Sequence, residues 1–287
     1  ETGTVMVKDI APGDNASYPY ELTNVDGMLF FIAYDGIHGY ELWKSDGTET
    51  GTIMIKEIDS GASSSSPYYL TNVNGTLFLM AHDGPHGYEL WTSDGTETGT
   101  VMVKDINPGT DGSYPSELIN INGVLFFSAY DETNGRELWK SDGTEAGTVM
   151  VKNICPEEYN SSPISLTDGN GILFFAANDG YHGYEIWKSD GTEAGTVMVK
   201  DIDPGYDYND PENLTNVDGT LFFVANDGTY GYELWKTDGT EDGTVMVNDI
   251  NPEGASSNPQ NLTNTNGLLF FIANDGTNGY ELWKAFP

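Results

Sequence analysis

A period of 48 residues restricts this chain to a repeat architecture. Its six tryptophans, Trp43, Trp91, Trp139, Trp187, Trp235 and Trp283, each follow the last by 48 positions. The Gly-Thr pairs beginning at Gly3, Gly51, Gly99, Gly147, Gly195 and Gly243 keep the same step. A fixed period of this length marks a solenoid, an array or a propeller. Six units account for the 287 residues, so residues 1–287 read as a single repeat domain. The length is ample for a sizeable core.

Residues 211–250 illustrate one unit. Segments 214–217, 220–225, 232–236 and 244–250 are short runs of Val, Ile, Leu, Phe, Tyr and Trp, separated by Asp-Gly, Asn-Asp-Gly and Thr-Asp-Gly-Thr clusters. Such runs read as strands joined by tight turns. Four antiparallel strands per unit make a propeller blade. The expected fold is therefore all-β, a six-bladed β-propeller with four antiparallel strands per blade. Residues 3–10 match a fourth strand with no blade before it, and the chain stops in a third strand at Trp283 and Lys284. Residues 3–10 are expected to supply the outer strand of the blade formed by 259–284, closing the ring and removing sheet edges. In the third-to-fourth strand hairpins, Leu42 is expected opposite Ile55, Glu41 opposite Lys56 and Trp43 opposite Met54. The Glu/Lys pairs would be exposed and the tryptophans buried.

The segment Gly-Tyr-Glu-Leu-Trp-Lys-Ser-Asp-Gly-Thr at 39–48 recurs at 87–96, 135–144, 183–192 and 231–240. The departures are small: Arg136, Ile186, Thr92 and Thr237. With this motif the chain resembles the bacterial ELWxxDGT repeat family. The resemblance covers nearly the whole chain and implies propeller repeats of a secreted or surface protein. It implies no catalytic residues.

Charge narrows the partners. Asp and Glu number 45 against 11 Lys and Arg, a formal net charge of −34. Nucleic acid is excluded, because phosphate binding needs clustered cations. No apolar run reaches membrane-spanning length, so no membrane insertion is expected. The lone Cys155 permits no disulfide within the chain and reads as incidental drift in a loop.

The links between blades vary while the Ser-Asp-Gly-Thr loops do not, and loops on a rigid scaffold commonly carry binding. Candidate ligand-binding residues are His38, His86, His182 and Tyr230, which share the tip of the second-to-third turn, with Tyr159 and Tyr206 in the links. Acids gather near the same loops. Asp35, Asp83, Asp131, Asp179, Asp227 and Asp275 end second strands, and Asp9, Asp105, Asp201 and Asp249 end fourth strands. Carboxylates and turn carbonyls suit Ca²⁺, which takes six to eight oxygens. The competing reading is that Asp-Gly simply makes each turn. Asn15, Asn74, Asn160, Asn213 and Asn261 head glycosylation sequons. No acidic pair stands out as a glycosidase couple, and Arg136 is the single arginine, so the chain is not read as an enzyme. The expected function is a secreted, extracellular or cell-surface binding and adhesion module. It would recognise glycan or another extracellular protein or polymer. The alternatives are a self-associating structural subunit of a surface layer, fibre or matrix and, third, a polysaccharide-active enzyme.

Overall fold

The computed structural model describes residues 3–60, 63–156, 159–204, 210–252 and 254–287. Every regular element among them is a β-strand, and the strands form six antiparallel sheets. The first sheet holds β1 (Tyr20–Val25), β2 (Met28–Tyr34), β3 (Tyr40–Ser45) and β4 (Ile53–Lys56), hydrogen-bonded in chain order. The same order recurs over 68–104, 116–152, 164–200 and 212–248, while the sixth sheet, over 260–285, has three strands. The chain divides into two compact units, residues 1–132 with 139–149, and residues 133–138 with 150–287.

Local chemistry explains the blades. Asp26 and Gly27 both take positive φ, 49° and 86°, which suits the tight turn between β1 and β2. Asn24 closes that turn by accepting the Gly27 N–H at 2.9 Å. In β2, Phe30, Phe31, Ile32 and Ala33 are all buried, so its apolar run is continuous, as a strand covered on both faces requires. In the first unit Phe30, Ile32 and Leu42 pack against Ile55, Ile58, Leu77, Leu79 and Trp91, so neighbouring sheets share one core. The tryptophans Trp43, Trp91, Trp139, Trp187 and Trp235 are 6–7% exposed, as expected.

The Ser-Asp-Gly-Thr loop between β3 and β4 consumes its own polar groups. Asp46 Oδ1 accepts from the Thr48 N–H at 2.9 Å and from its hydroxyl at 2.7 Å. Thr48 Oγ1 in turn accepts the Gly51 N–H, and Ser45 and Thr52 share a buried bond at 2.7 Å. A Cβ on Gly51 would collide with the Asp46 carboxylate, which explains the fixed glycine of the Gly-Thr pair.

One expectation is corrected. Trp43 does pair with Met54, but a bulge shifts the register, so Leu42 faces Lys56 and Glu41 does not. The glutamate turns inward instead and is fully buried. Lys56 reaches forward, donating to the Thr100 carbonyl at 2.8 Å and lying 5.7 Å above the Trp91 ring. Residues 4–9 carry no assigned strand, and the last sheet has three strands and ends at Tyr280–Ala285. The segment is held by the first sheet. Lys8 donates to the Thr52 carbonyl at 2.7 Å, and Ile10 packs beside Phe31 and Trp43. Cys155 is 2% exposed, as Ala11 and Asn107 are at the same repeat position, and its N–H donates to Glu137 at 3.2 Å as the Asn107 N–H does to Glu89.

Candidate functional site

The buried glutamates form a series that the exposed-pair reading missed. Glu41 Oε2 accepts the Ile58 N–H at 3.1 Å and the Ser65 hydroxyl at 2.6 Å, while Oε1 accepts the Ser65 N–H at 3.1 Å. Glu89, Glu137, Glu185 and Glu233 repeat the arrangement towards Ile106, Ile154, Ile202 and Ile250. Each carboxylate thus ties the link that follows its own sheet to its third strand. Burial pushes the carboxyls of Glu41, Glu89 and Glu137 up to about 7 and that of Glu185 up to about 8. This is a structural clip with no opening to a ligand.

The candidate histidines and aspartates close their own turns. His38 Nδ1 lies 2.6 Å from Asp35 Oδ2, and Asp35 Oδ1 accepts the N–H groups of Ile37 and His38. His86 with Asp83 and His182 with Asp179 repeat the pair at 2.7 Å. The hydrogen bond that each of these three histidines donates to its aspartate raises it above its usual range. Asp227 and Asp275 likewise accept backbone N–H groups of their turns. Asp105, Asp201 and Asp249 each keep one buried oxygen without a partner. Among the described residues, no group of three or more His, Cys, Asp or Glu is placed to hold a metal ion. The structure therefore does not bring the proposed calcium ligands together. Tyr159 and Tyr230 are exposed at 67% and 41% and join no cluster with the histidines. Tyr206 lies outside the described residues. Of the sequon residues, Asn74 sits in a turn at positive φ, Asn160 accepts the Arg136 N–H at 2.7 Å, and Asn213 borders the cavity described next.

The copies also differ in chemistry at the start of the first strands. Each begins after an in-phase proline, and the residue two places beyond that proline takes positive φ: Glu21 54°, Tyr69 59°, Glu117 58°, Ser165 57°, Asn213 57° and Asn261 54°. The register slips there, as between Tyr20 and Thr23, so the first side chain of each strand is re-aimed by a bulge. The six residues so placed are Tyr20, Tyr68, Ser116, Ile164, Glu212 and Gln260. In the first unit Tyr20 and Tyr68 fill this space with rings, and Tyr88 and Tyr114 pair nearby. Tyr20 meets Tyr40 edge-on at 5.8 Å and Tyr68 at 5.5 Å, and Tyr88 meets Tyr114 at 5.3 Å. Burial, followed by the neighbouring Tyr68, pushes the Tyr20 hydroxyl well above its usual range.

In the second unit the equivalent place is open. A cavity of about 280 Å³ is bordered by Glu212, Asn213, Tyr232, Asn258 and Gln260, with Val224 at its base. The Tyr232 hydroxyl is raised by burial and then by the charges of Glu212 and Asp210. One carboxylate oxygen of Asp210 is buried without a partner. Sequence reading passed over this site because it weighed the loops more heavily than the strand starts. The signal was the spread of residue types directly after the in-phase prolines.

No known family's sequence profile matches the chain, and no characterised relative is detected by sequence. Solved structures do share its fold. A puromycin-hydrolyzing peptidase of Mycobacterium tuberculosis aligns at TM-score 0.53 and 10% identity, over 95% of this chain and 45% of its own. Prolyl oligopeptidase B of Galerina marginata, bound to a 25mer macrocyclization substrate, aligns at TM-score 0.54 and 13% identity, over 95% and 42%. A prolyl endopeptidase aligns at TM-score 0.54 and 11% identity, over 94% and 41%. The matched parts are β-propeller domains, and the chain spans less than half the length of these proteins. The fold is thus a β-propeller. The likeness also corrects the functional expectation: the propellers found belong to peptidases, and the adhesion-module reading is set aside.

Proposed function

We propose that this chain is a peptide-binding propeller that works alongside a peptidase and performs no hydrolysis itself. The observation that carries the reading is the break in repeat symmetry at the first-strand starts. There a tyrosine cluster in one unit stands where the other has an acid- and amide-lined cavity. Such sites on a rigid scaffold suit an extended chain, which offers amide groups and side chains at close intervals. The test is binding of unstructured peptides of mixed sequence to the purified chain, followed by mass spectrometry of the same mixtures. Micromolar to millimolar binding with the peptides left intact is expected. Absence of binding at millimolar peptide sinks the reading, and cleavage by the chain alone sinks its non-catalytic part.

The same reading takes the six sheets as the blades of one ring, with residues 3–10 serving as the fourth strand of the last. Two observations support it. Lys8 bonds to Thr52 as Lys56, Lys104, Lys152 and Lys200 bond to Thr100, Thr148, Thr196 and Thr244. An apolar cavity of about 200 Å³ lined by Val7, Ile10, Leu22, Leu29 and Phe31 also borders the first sheet. The residues one repeat on, Ile55, Ile58, Leu70, Leu77 and Leu79, are buried against the preceding sheet's Phe30, Ile32 and Leu42.

A further inference from the structure

We infer that the cavity of the second unit receives an aromatic side chain carrying a hydrogen-bond donor, a tyrosine of a bound peptide, with its ring against Tyr232 and its hydroxyl donating to Glu212. This deepens the peptide-binding reading and rests on it. The argument comes from the molecule's own repeat. Shifting by four periods of 48 carries Tyr20 onto Glu212, Tyr40 onto Tyr232, Tyr68 onto Gln260, Ser66 onto Asn258 and Ile32 onto Val224. In the first unit the Tyr20 ring lies edge-on to Tyr40 at 5.8 Å, and Tyr68 closes over it at 5.5 Å. The second unit keeps the platform, Tyr232, and the apolar base, Val224, but removes both rings that would occupy the space. What remains is a cavity already shaped for a phenyl ring against a tyrosine.

Size and polarity agree. About 280 Å³ falls just below the roughly 300–1,000 Å³ of sites for drug-sized ligands, and suits a single side chain. The lining holds one carboxylate, Glu212, and three side-chain amides and no Lys, Arg or His among the described residues, so the acceptor-only Glu212 is the group that calls for a donor from the ligand. A phenol supplies one at the far end of its ring. Buried and part-buried tyrosine hydroxyls take a partner of this kind, as Tyr20 does with the Pro67 carbonyl at 3.4 Å.

The experiment uses the full chain, with N-acetyl-tyrosinamide, N-acetyl-phenylalaninamide and N-acetyl-alaninamide as probes, together with pentapeptides carrying Tyr or Ala at the centre. Binding is read by NMR titration. The tyrosyl probe is expected to bind at least tenfold tighter than the alanyl one. Gln260→Tyr and Glu212→Tyr each restore a ring that the first unit already accommodates at the same position, so the fold tolerates them, and each should abolish the tyrosyl preference. Glu212→Gln should weaken the tyrosyl probe while leaving the phenylalanyl one within twofold. Equal affinity of the Tyr and Ala pentapeptides overturns the inference and leaves peptide binding standing. An unchanged tyrosyl preference in Gln260→Tyr also overturns it, by placing the ring elsewhere. Failure of every peptide and probe to bind overturns the peptide-binding reading itself.

Discussion

The first and sixth sheets carry the same motif in different surroundings. Tyr40-Glu41-Leu42-Trp43-Lys44 and Tyr280-Glu281-Leu282-Trp283-Lys284 are identical in sequence. Leu42 is 0% exposed and Leu282 is 72% exposed. Glu41 is buried and hydrogen-bonded to the following link, whereas Glu281 is exposed. Trp43 and Trp283 differ less, because the second strand covers both, as Phe31 opposite Trp43 and Phe271 opposite Trp283. The motif alone therefore buries little. A fourth strand and the link beyond it bury the leucine and the glutamate, and these are what the sixth sheet lacks in this structure.

The largest effect expected is at the leucines. Leu42→Ala deletes a fully buried side chain from the shared core and should cost about 2–5 kcal/mol in denaturant unfolding. If residues 3–10 complete the last blade, Leu282→Ala should cost a similar amount. A cost below about 0.5 kcal/mol, the range of surface changes, would leave the sixth sheet three-stranded and break the ring reading. Next comes Glu41→Ala, which strands the Ile58 and Ser65 N–H groups in the interior and leaves the Ser65 hydroxyl only the Tyr40 carbonyl at 3.3 Å. Unsatisfied buried donors cost about 1–3 kcal/mol each, and partial wetting brings the expected total to about 2–4 kcal/mol. Glu281→Ala sharpens the comparison. If a fourth strand and a link cover Glu281 as they cover Glu41, a loss comparable to Glu41→Ala is expected. A neutral result argues that no link reaches it.

The repeat made most of this architecture legible. The tryptophan period, the Asp-Gly turns and the apolar second strands predict four-stranded antiparallel sheets, and five sheets have four strands. The role of Glu41 was not legible, because a charged residue alternating with Leu and Trp reads as solvent-facing. Only the bulge between Leu42 and Trp43, together with the donors of a link about 20 residues on, turns it inward. The aspartates misled in the other direction. Asp35, Asp83 and Asp179 look like a ring of ligands, but each is consumed by the turn it makes and by its histidine. The cavity at Glu212 and Tyr232 arises from the absence of two tyrosine rings, and a missing ring is visible only when copies are compared position by position.

The smallest effect separates the two sheets by protonation rather than by packing. Glu41, Glu89 and Glu137 titrate near 7 and Glu185 near 8 in the folded chain, against an ordinary value of 4.5, because burial disfavours the charged form. The folded pKa lies above the unfolded one, so between these values the folded state holds more protons. Its stability is then fullest below about pH 4.5 and declines as pH rises to about 7–8, levelling off above. These four clips should act together with Glu233, whose carboxyl burial also raises. Thermal melts between pH 5 and 8 should therefore show Tm falling with pH. Glu89→Gln removes one titrating clip and should make that fall shallower, while His38, His86 and His182, also raised, keep part of it in place. Glu281→Gln should flatten it only if the sixth sheet gains the buried environment of the others. Comparing the two slopes thus reads out the state of the last blade through a proton instead of a cavity. A Tm that is level or rising from pH 5 to 8 in the parent chain would show that the donors around each carboxylate outweigh its burial, and that the clips are ionised throughout.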